Sequence, residues 1–333
     1  MPKRKPIDHV IIIDGTQSLL DAGLETNAGI LYKLLQEAAE PSKLRLHYDP
    51  GVQGRGLSSW ITIAAGIGIN QSICAAYNWL ASGYRKGDRI FLFGFSRGAF
   101  AARSIAGMIA EVGLVSNAQA TERVLKQAFR LYESKAEPQV LQEFQRENSQ
   151  TDVSIDMVGV WDTVKALGLP YPLLSRLAPM ATEFHKETVS KPVKRAYQAL
   201  AMHETRIAYR PILWETDEGF EGIIEQVWFR GVHSDIGGHV KTYPPARLLS
   251  NIPLRWMLGK GEACGLPFPK DWRERYPIDQ NAPSVGSFRG TAKLFWLRAR
   301  RAMGMKCCEY LHPTAVDDLR PDDPVLPLAP RNK

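Results

Sequence analysis

The chain has 333 residues, 44% hydrophobic and 23% charged, a globular balance that suits one large domain or two modest ones. Its net charge of +7 favours acidic partners such as anionic lipid, but no nucleic-acid motif accompanies it, so no nucleic-acid partner is expected. No stretch nears the roughly 20 uninterrupted apolar residues of a membrane helix. The apolar run after the basic N-terminus covers only Val10 to Ile13, too short for a signal peptide, so synthesis and folding in the cytoplasm are expected. Cys74, Cys264, Cys307 and Cys308 form no CxxC pair and have no zinc-ligand spacing, which fits a reduced compartment and no metal.

In chain order, residues 9–13 form a short β-branched run that predicts a buried parallel strand opening into Asp14-Gly15-Thr16. Residues 26–39 carry apolar side chains at helical spacing and stop before Pro41. A strand over 44–48 leads to the turn Asp49-Pro50-Gly51, then a glycine-rich loop to about residue 68 and a helix over 71–80. Residues 89–95 form a strong hydrophobic strand, and 97–110 a helix rich in small residues. A polar helical stretch over 121–148 reads as an insertion, after which 155–161 resumes the sheet. Residues 166–180 are apolar, interrupted by proline and irregular. Strands are expected at 193–202 and 225–229 and a helix at 252–258; beyond Gly265 prolines and charges dominate.

Alternation of this kind predicts an α/β fold, a mostly parallel central sheet with helices on both faces. The expected organisation is a catalytic domain over 1–270, with insertions near 115–150 and 166–192, then a C-terminal extension over 271–333.

The chemistry starts at Gly94-Phe95-Ser96-Arg97-Gly98, a G-x-S-x-G turn between a strand and a helix. Such a turn holds the serine hydroxyl clear of the backbone, and the glycines avoid clashes inside it. The helix that follows points its positive end at the serine, so Ser96 is the candidate nucleophile of an α/β-hydrolase-like fold. The other use of serine there is to cap the helix.

Serine needs a base. Of seven histidines, His233 follows a predicted strand and sits in Gly231-Val232-His233-Ser234-Asp235-Ile236-Gly237-Gly238; His239 and His203 are rivals. The acid should lie between Ser96 and His233 in sequence, and two candidates stand at strand ends, Asp162 and the alternative Glu204. Oxyanion donors are expected from the amide of Arg97 and from Gly15 or Thr16, although Asp14 could instead tether loops there.

Five segments in order carry a resemblance: Asp14-Gly15-Thr16, Tyr48-Asp49-Pro50-Gly51, Gly94-Phe95-Ser96-Arg97-Gly98-Ala99, Val160-Trp161-Asp162-Thr163-Val164, and Trp228 through Gly238. Together they resemble an uncharacterised α/β-hydrolase domain family that includes phospholipase effectors of the bacterial type VI secretion system, over roughly residues 7–270. The segment Ala199 to Arg206 fits too, with His203 where that family more often has Asp, and Gly237-Gly238-His239-Val240 replaces a more usual Gly-Gly-Gly-Tyr.

The resemblance implies lipolytic ester hydrolysis, with Ser96, Asp162 and His233 at the matching triad positions and no cofactor. It implies a phospholipid or other ester substrate, a secretion apparatus or immunity protein as partner, and delivery to the periplasm of a target cell without a signal peptide. Leu167, Tyr171, Leu173, Leu174 and Leu177 are candidate lid or pocket residues. The basic amphipathic segment 288–306 is a candidate for lying on an anionic membrane surface. A soluble carboxylesterase for small esters and a catalytically silent scaffold of the same fold are the alternatives.

Overall fold

The computed structural model describes residues 4–16, 18–40, 43–51, 67–150, 152–164, 188–189, 191–216, 219–289, 292–293 and 295–330. The candidate lid residues Leu167, Tyr171, Leu173, Leu174 and Leu177 lie outside them. So does most of the glycine-rich loop.

A seven-stranded parallel sheet organises the chain. Its strands are β1 (Asp8–Ile13), β2 (Leu44–Asp49), β3 (Arg89–Phe95), β4 (Met157–Trp161), β5 (Arg195–Ala201), β6 (Ile223–Phe229) and β7 (Glu309–Leu311). Their order across the sheet is β7-β6-β5-β4-β3-β1-β2, and every neighbouring pair is parallel. The central strands are buried on both faces, which is why β1 and β3 read as continuous apolar runs rather than alternating ones.

Helices cover both faces. Against one face pack α2 (Ile67–Ala81), α3 (Arg97–Val112) and α4 (Glu122–Glu133), through Ile73, Tyr77, Ile105, Ile109 and Leu125. Against the other pack α1 (Asn27–Ala38), capped by the Thr26 side chain on the Gly29 amide, and a long C-terminal helix, through Leu31, Leu35, Trp256 and Leu258. The polar insertion is two helices, α4 and α5 (Pro138–Asn148), with Pro138 opening the second, where it blocks no intrahelical bond.

The C-terminal part adds to both the helical layer and the sheet. The last long helix, α7 (Arg247–Ala263), runs well beyond the expected 252–258 and carries Pro253 inside it; the short α6 (His233–Gly237) precedes it. Residues 309–311 add the edge strand β7 beside β6. The sheet therefore takes its edge strand from beyond residue 270.

Strand order reverses between β1 and β3, since the chain's next strand, β2, lies on the far side of β1. In open parallel sheets a crevice forms outside the carboxyl ends of the strands at such a point. Asp14, Ser96 and Asp162 all stand one residue past the ends of β1, β3 and β4, and His233 follows β6.

Candidate active site

The turn after β3 is forced by its neighbours. A Cβ on Gly94 would lie 2.3 Å from the Gly98 carbonyl oxygen, and one on Gly98 would lie 2.1 Å from that of Ile13. Between them Ser96 takes φ 59° and ψ −118°, a left-handed conformation that L-residues rarely adopt. Its amide donates to the Trp161 carbonyl at 3.0 Å, tying the turn to β4. The capping role open to Ser96 is not taken: its side chain makes no cap hydrogen bond to α3. The hydroxyl instead lies 2.8 Å from His233 Nε2.

His233 opens α6. Asp235 organises that turn by accepting from the Val232 amide at 2.8 Å, from the Val285 amide at 2.9 Å and from the Ser284 hydroxyl. The imidazole is buried between the rings of Phe95 and Tyr209, with centroids at 4.9 and 4.8 Å. Its Nδ1 lies 2.5 Å from Asp162 Oδ2. Burial pulls His233 below the ordinary histidine value, against the opposing effect of Asp162.

Asp162 is fully buried, and its backbone is also left-handed, at φ 45°. Its Oδ1 accepts from the Ala201 amide at 2.9 Å and from Arg301 Nη1 at 2.6 Å, while Oδ2 accepts from Arg301 Nη2 at 2.9 Å. Burial alone would raise this carboxyl. The charge and hydrogen bonds of Arg301, together with those of His233, overcome it and hold the group below the usual carboxylate range.

Glu204 also reaches His233, but at the backbone: its Oε2 accepts the His233 amide at 3.2 Å. Both of its oxygens are held by Arg206, at 2.8 and 2.6 Å. Between the two acids, the structure brings Asp162 to the imidazole and Glu204 to the turn beneath it. Of the rival histidines, His203 accepts the Gly231 amide through Nδ1 at 3.3 Å, and burial pushes His239 down to about 4.

The loop after β1 separates the two oxyanion candidates there. The Gly15 amide donates to Asp14 Oδ1 at 2.6 Å, so it is already engaged. Asp14 Oδ2 accepts from the Thr26 hydroxyl at 2.6 Å and the Tyr48 hydroxyl at 2.8 Å, the tethering role that its position allowed. Thr16, its hydroxyl buried without a hydrogen-bond partner among the described residues, lines a narrow cleft with Arg97, Gly98 and Ile69. Arg97 is the first residue of α3, where amides find no acceptor inside the helix.

Among its described residues, segment 288–306 contains no α-helix: Ala292 and Lys293 lie in a 3-10 turn, and 295–306 run irregularly past the site. The Ala299 amide donates to Thr205 O at 2.8 Å and the Ile207 amide to Leu297 O at 3.0 Å. Phe295 packs edge-on against Tyr209, which packs against His233. Trp296 is 78% exposed, Phe288 62% and Leu297 51%. Not all of the segment's cations face solvent: Arg298 donates to the carbonyls of Ser287 and Ala292, and Arg301 is buried on Asp162.

Arg301, Arg206 and Tyr209 were missed by sequence reasoning. Arg301 sits in a run of arginines that reads as solvated charge, and no local pattern marks the one that turns inward. Among the described residues no cluster of three or more His, Cys, Asp or Glu side chains is placed to hold a metal. No helix among them is long and apolar enough to cross a membrane.

Residues 8–260 match the family described as the type VI secretion system phospholipase effector Tle1-like catalytic domain. The chain is 33% identical over 196 residues to "Uncharacterized protein YEL023C" of Saccharomyces cerevisiae, a match that covers 51% of this chain and 28% of that protein. Among solved structures it is similar to an uncharacterized protein from Pseudomonas aeruginosa (TM-score 0.46, 18% identity, 83% of this chain and 48% of that one). It is also similar to the Tle1 effector solved bound to the VgrG spike of the type VI secretion system (TM-score 0.37, 18% identity, 71% and 52%). The chain thus spans about a quarter of the curated relative's length and about half of each solved chain.

Proposed function

Since the chain belongs to the type VI secretion system Tle1-like phospholipase effector catalytic-domain family, we propose that it is a serine hydrolase that cleaves carboxylic esters of phospholipids through Ser96, His233 and Asp162. The observation that carries this reading is the unbroken chain of contacts from the Ser96 hydroxyl through His233 to the Asp162 carboxylate, at 2.8 and 2.5 Å.

In this mechanism His233 Nε2 takes the Ser96 proton as the serine oxygen attacks the ester carbonyl, and Asp162 holds the Nδ1–H tautomer and stabilises the imidazolium. Charge on the tetrahedral oxygen falls to the amides of Arg97 and Thr16, since that of Gly15 is engaged by Asp14. The imidazolium then protonates the departing alcohol, leaving an acyl-enzyme. Water, deprotonated by the same imidazole, hydrolyses the acyl group and restores Ser96.

Phe288, Trp296 and Leu297 stand exposed on a segment that packs through Phe295 and Tyr209 onto the catalytic ring. Arg289 and Lys293 are exposed on the same segment. An apolar, basic surface beside the nucleophile supports docking on an anionic bilayer, so that a lipid would pass from the membrane to Ser96 without crossing water. Family membership further supports delivery by a secretion apparatus to the periplasm of a target cell, with an immunity protein as partner.

The test is fatty-acid release from phosphatidylglycerol-containing vesicles by the wild-type protein and by Ser96→Ala. Release by the wild type alone is expected, and equal rates refute the reading. Turnover of soluble short-chain esters with no gain on vesicles would favour a small-ester carboxylesterase.

A further inference from the structure

The Asp162 carboxylate has four acceptor positions, and all four are taken. One belongs to the Ala201 amide and one to His233 Nδ1, and the remaining two belong to the two ends of one guanidinium. That guanidinium comes from Arg301, 139 residues further along the chain and outside the family-matched region. Its side chain is 2% exposed, and it is anchored in turn on the carbonyls of Ala201, at 2.9 Å, and Tyr209, at 2.5 Å. Fork-to-fork pairing of this kind fixes direction as well as distance.

We infer that Arg301 is a positioning residue of the reaction, delivered by the C-terminal segment to aim the Asp162 carboxylate at His233 and to limit how much negative charge the imidazole meets.

The inference rests on the proposed serine-hydrolase reading and deepens it. An acid aimed at His233 with no counter-charge would stabilise the imidazolium strongly and keep the base protonated into the neutral range. With the carboxylate shared, the base stays available at lower pH. The other groups facing this pair are the Ser96 hydroxyl, Glu204 and Arg206 from the stretch after β5, Tyr209 edge-on to the ring, and His239 beyond α6. Glu204 and Arg206 are paired with each other and act on His233 in opposite directions, whereas the largest charge effect on Asp162 is that of Arg301.

The inference also alters the status of residues 271–330. They supply the seventh strand and, eight residues before it, a group on the buried acid, so the catalytic unit does not end where the family match ends.

The experiment is the pH dependence of Ser96 labelling by a fluorophosphonate, with thermal melts, for the full-length wild type, Arg301→Gln and Arg301→Lys. In Arg301→Gln the lost counter-charge should move the acidic limb up by about 1 pH unit, the lower end of the effect of a neighbouring opposite charge. The plateau rate should fall up to about 100-fold as the acid loses its aim. Arg301→Lys keeps one charge but reaches at most one oxygen, so the limb should rise by less. A purely structural arginine would lower the melting temperature and leave the limb in place; that result in a folded Arg301→Gln overturns the inference. If Arg301→Gln does not fold, Arg301→Lys decides by the same criterion. Failure of the wild type to label at Ser96 would instead sink the serine-hydrolase reading, so the two failures are distinguishable.

Discussion

Gly98→Ala tests the turn that presents Ser96. The added Cβ would sit 2.1 Å from Ile13 O, 2.5 Å from Asp14 O and 2.6 Å from Ile13 C. All three atoms are backbone, so no side chain can swing aside. Restoring the closest approach to the 3.0 Å floor of real Cβ contacts requires a displacement of 0.9 Å. It must be absorbed by the start of α3, which directly follows Ser96, or by the 14–16 loop, which carries the proposed oxyanion donor Thr16. A misplacement of about 1 Å at reacting atoms costs about 100-fold in rate, and overpacking costs about 1–3 kcal/mol. The assay is the fluorophosphonate labelling rate alongside a urea unfolding midpoint. We expect a rate about 100-fold down in a protein that remains folded at 25 °C. A Gly98→Ala protein that labels at the wild-type rate would refute the claim that this contact sets the serine's position.

The two acids separate by substitution. Asp162→Asn should lower kcat by about 10⁴, since the amide holds the wrong tautomer of His233. Glu204→Gln should keep the rate within about tenfold while lowering the melting temperature, because a buried ion pair that loses one charge costs about 3–5 kcal/mol; the opposite ranking in a kinetic assay would exchange their roles. Trp296→Ala should reduce hydrolysis of lipid vesicles while sparing soluble short-chain esters and the melting temperature, as the ring is largely solvent-exposed. His312, stacked on Phe229, is pushed down to about 4 by burial, so the unfolded chain binds its proton first as pH falls. The stability it contributes is whole above about 6.5 and is lost as pH drops toward 4; His312→Gln should flatten the decline of the urea midpoint between pH 7 and 4.5, and an unaltered slope would refute this.

What the sequence made legible follows the range of the signal. The strand runs of β1 and β3, the helix rich in small residues after Ser96, and the G-x-S-x-G turn are each written within a few consecutive residues, and the sheet reproduces them closely. The choice between Asp162 and Glu204 was not, because both stand just beyond strand ends, β4 and β5, that lie side by side. Only the path of the chain decides which carboxylate meets the ring and which meets the amide of His233. β7 is three residues, Glu309–Leu311, too short for any period; it pairs with β6 through the backbone, and Glu309 also accepts from the buried Trp228 indole at 2.7 Å. The expected amphipathic run over 288–306 divides instead. Its aromatic tips and Arg289 and Lys293 stay outside while Arg298 and Arg301 turn in to satisfy carbonyls and a carboxylate, a division that no local pattern marks.

The buried charges around His233 sum to a simple balance. Asp162 is matched by Arg301 and Glu204 by Arg206, each pair in direct contact and almost wholly out of solvent. With a neutral imidazole the cluster carries no net charge. Protonating His233 alone adds an uncompensated positive charge in a site with little exposure to solvent, which agrees with its lowered proton affinity. In the proposed reaction the imidazolium never forms alone, because its proton leaves Ser96 as the ester oxygen becomes negative. The net charge of the site then stays constant through the tetrahedral step, and the same environment that resists a solvent proton accepts the one from serine. An arginine on the catalytic acid, which looks at first like a drain on the base, therefore favours proton transfer that is coupled to bond formation over protonation that is not.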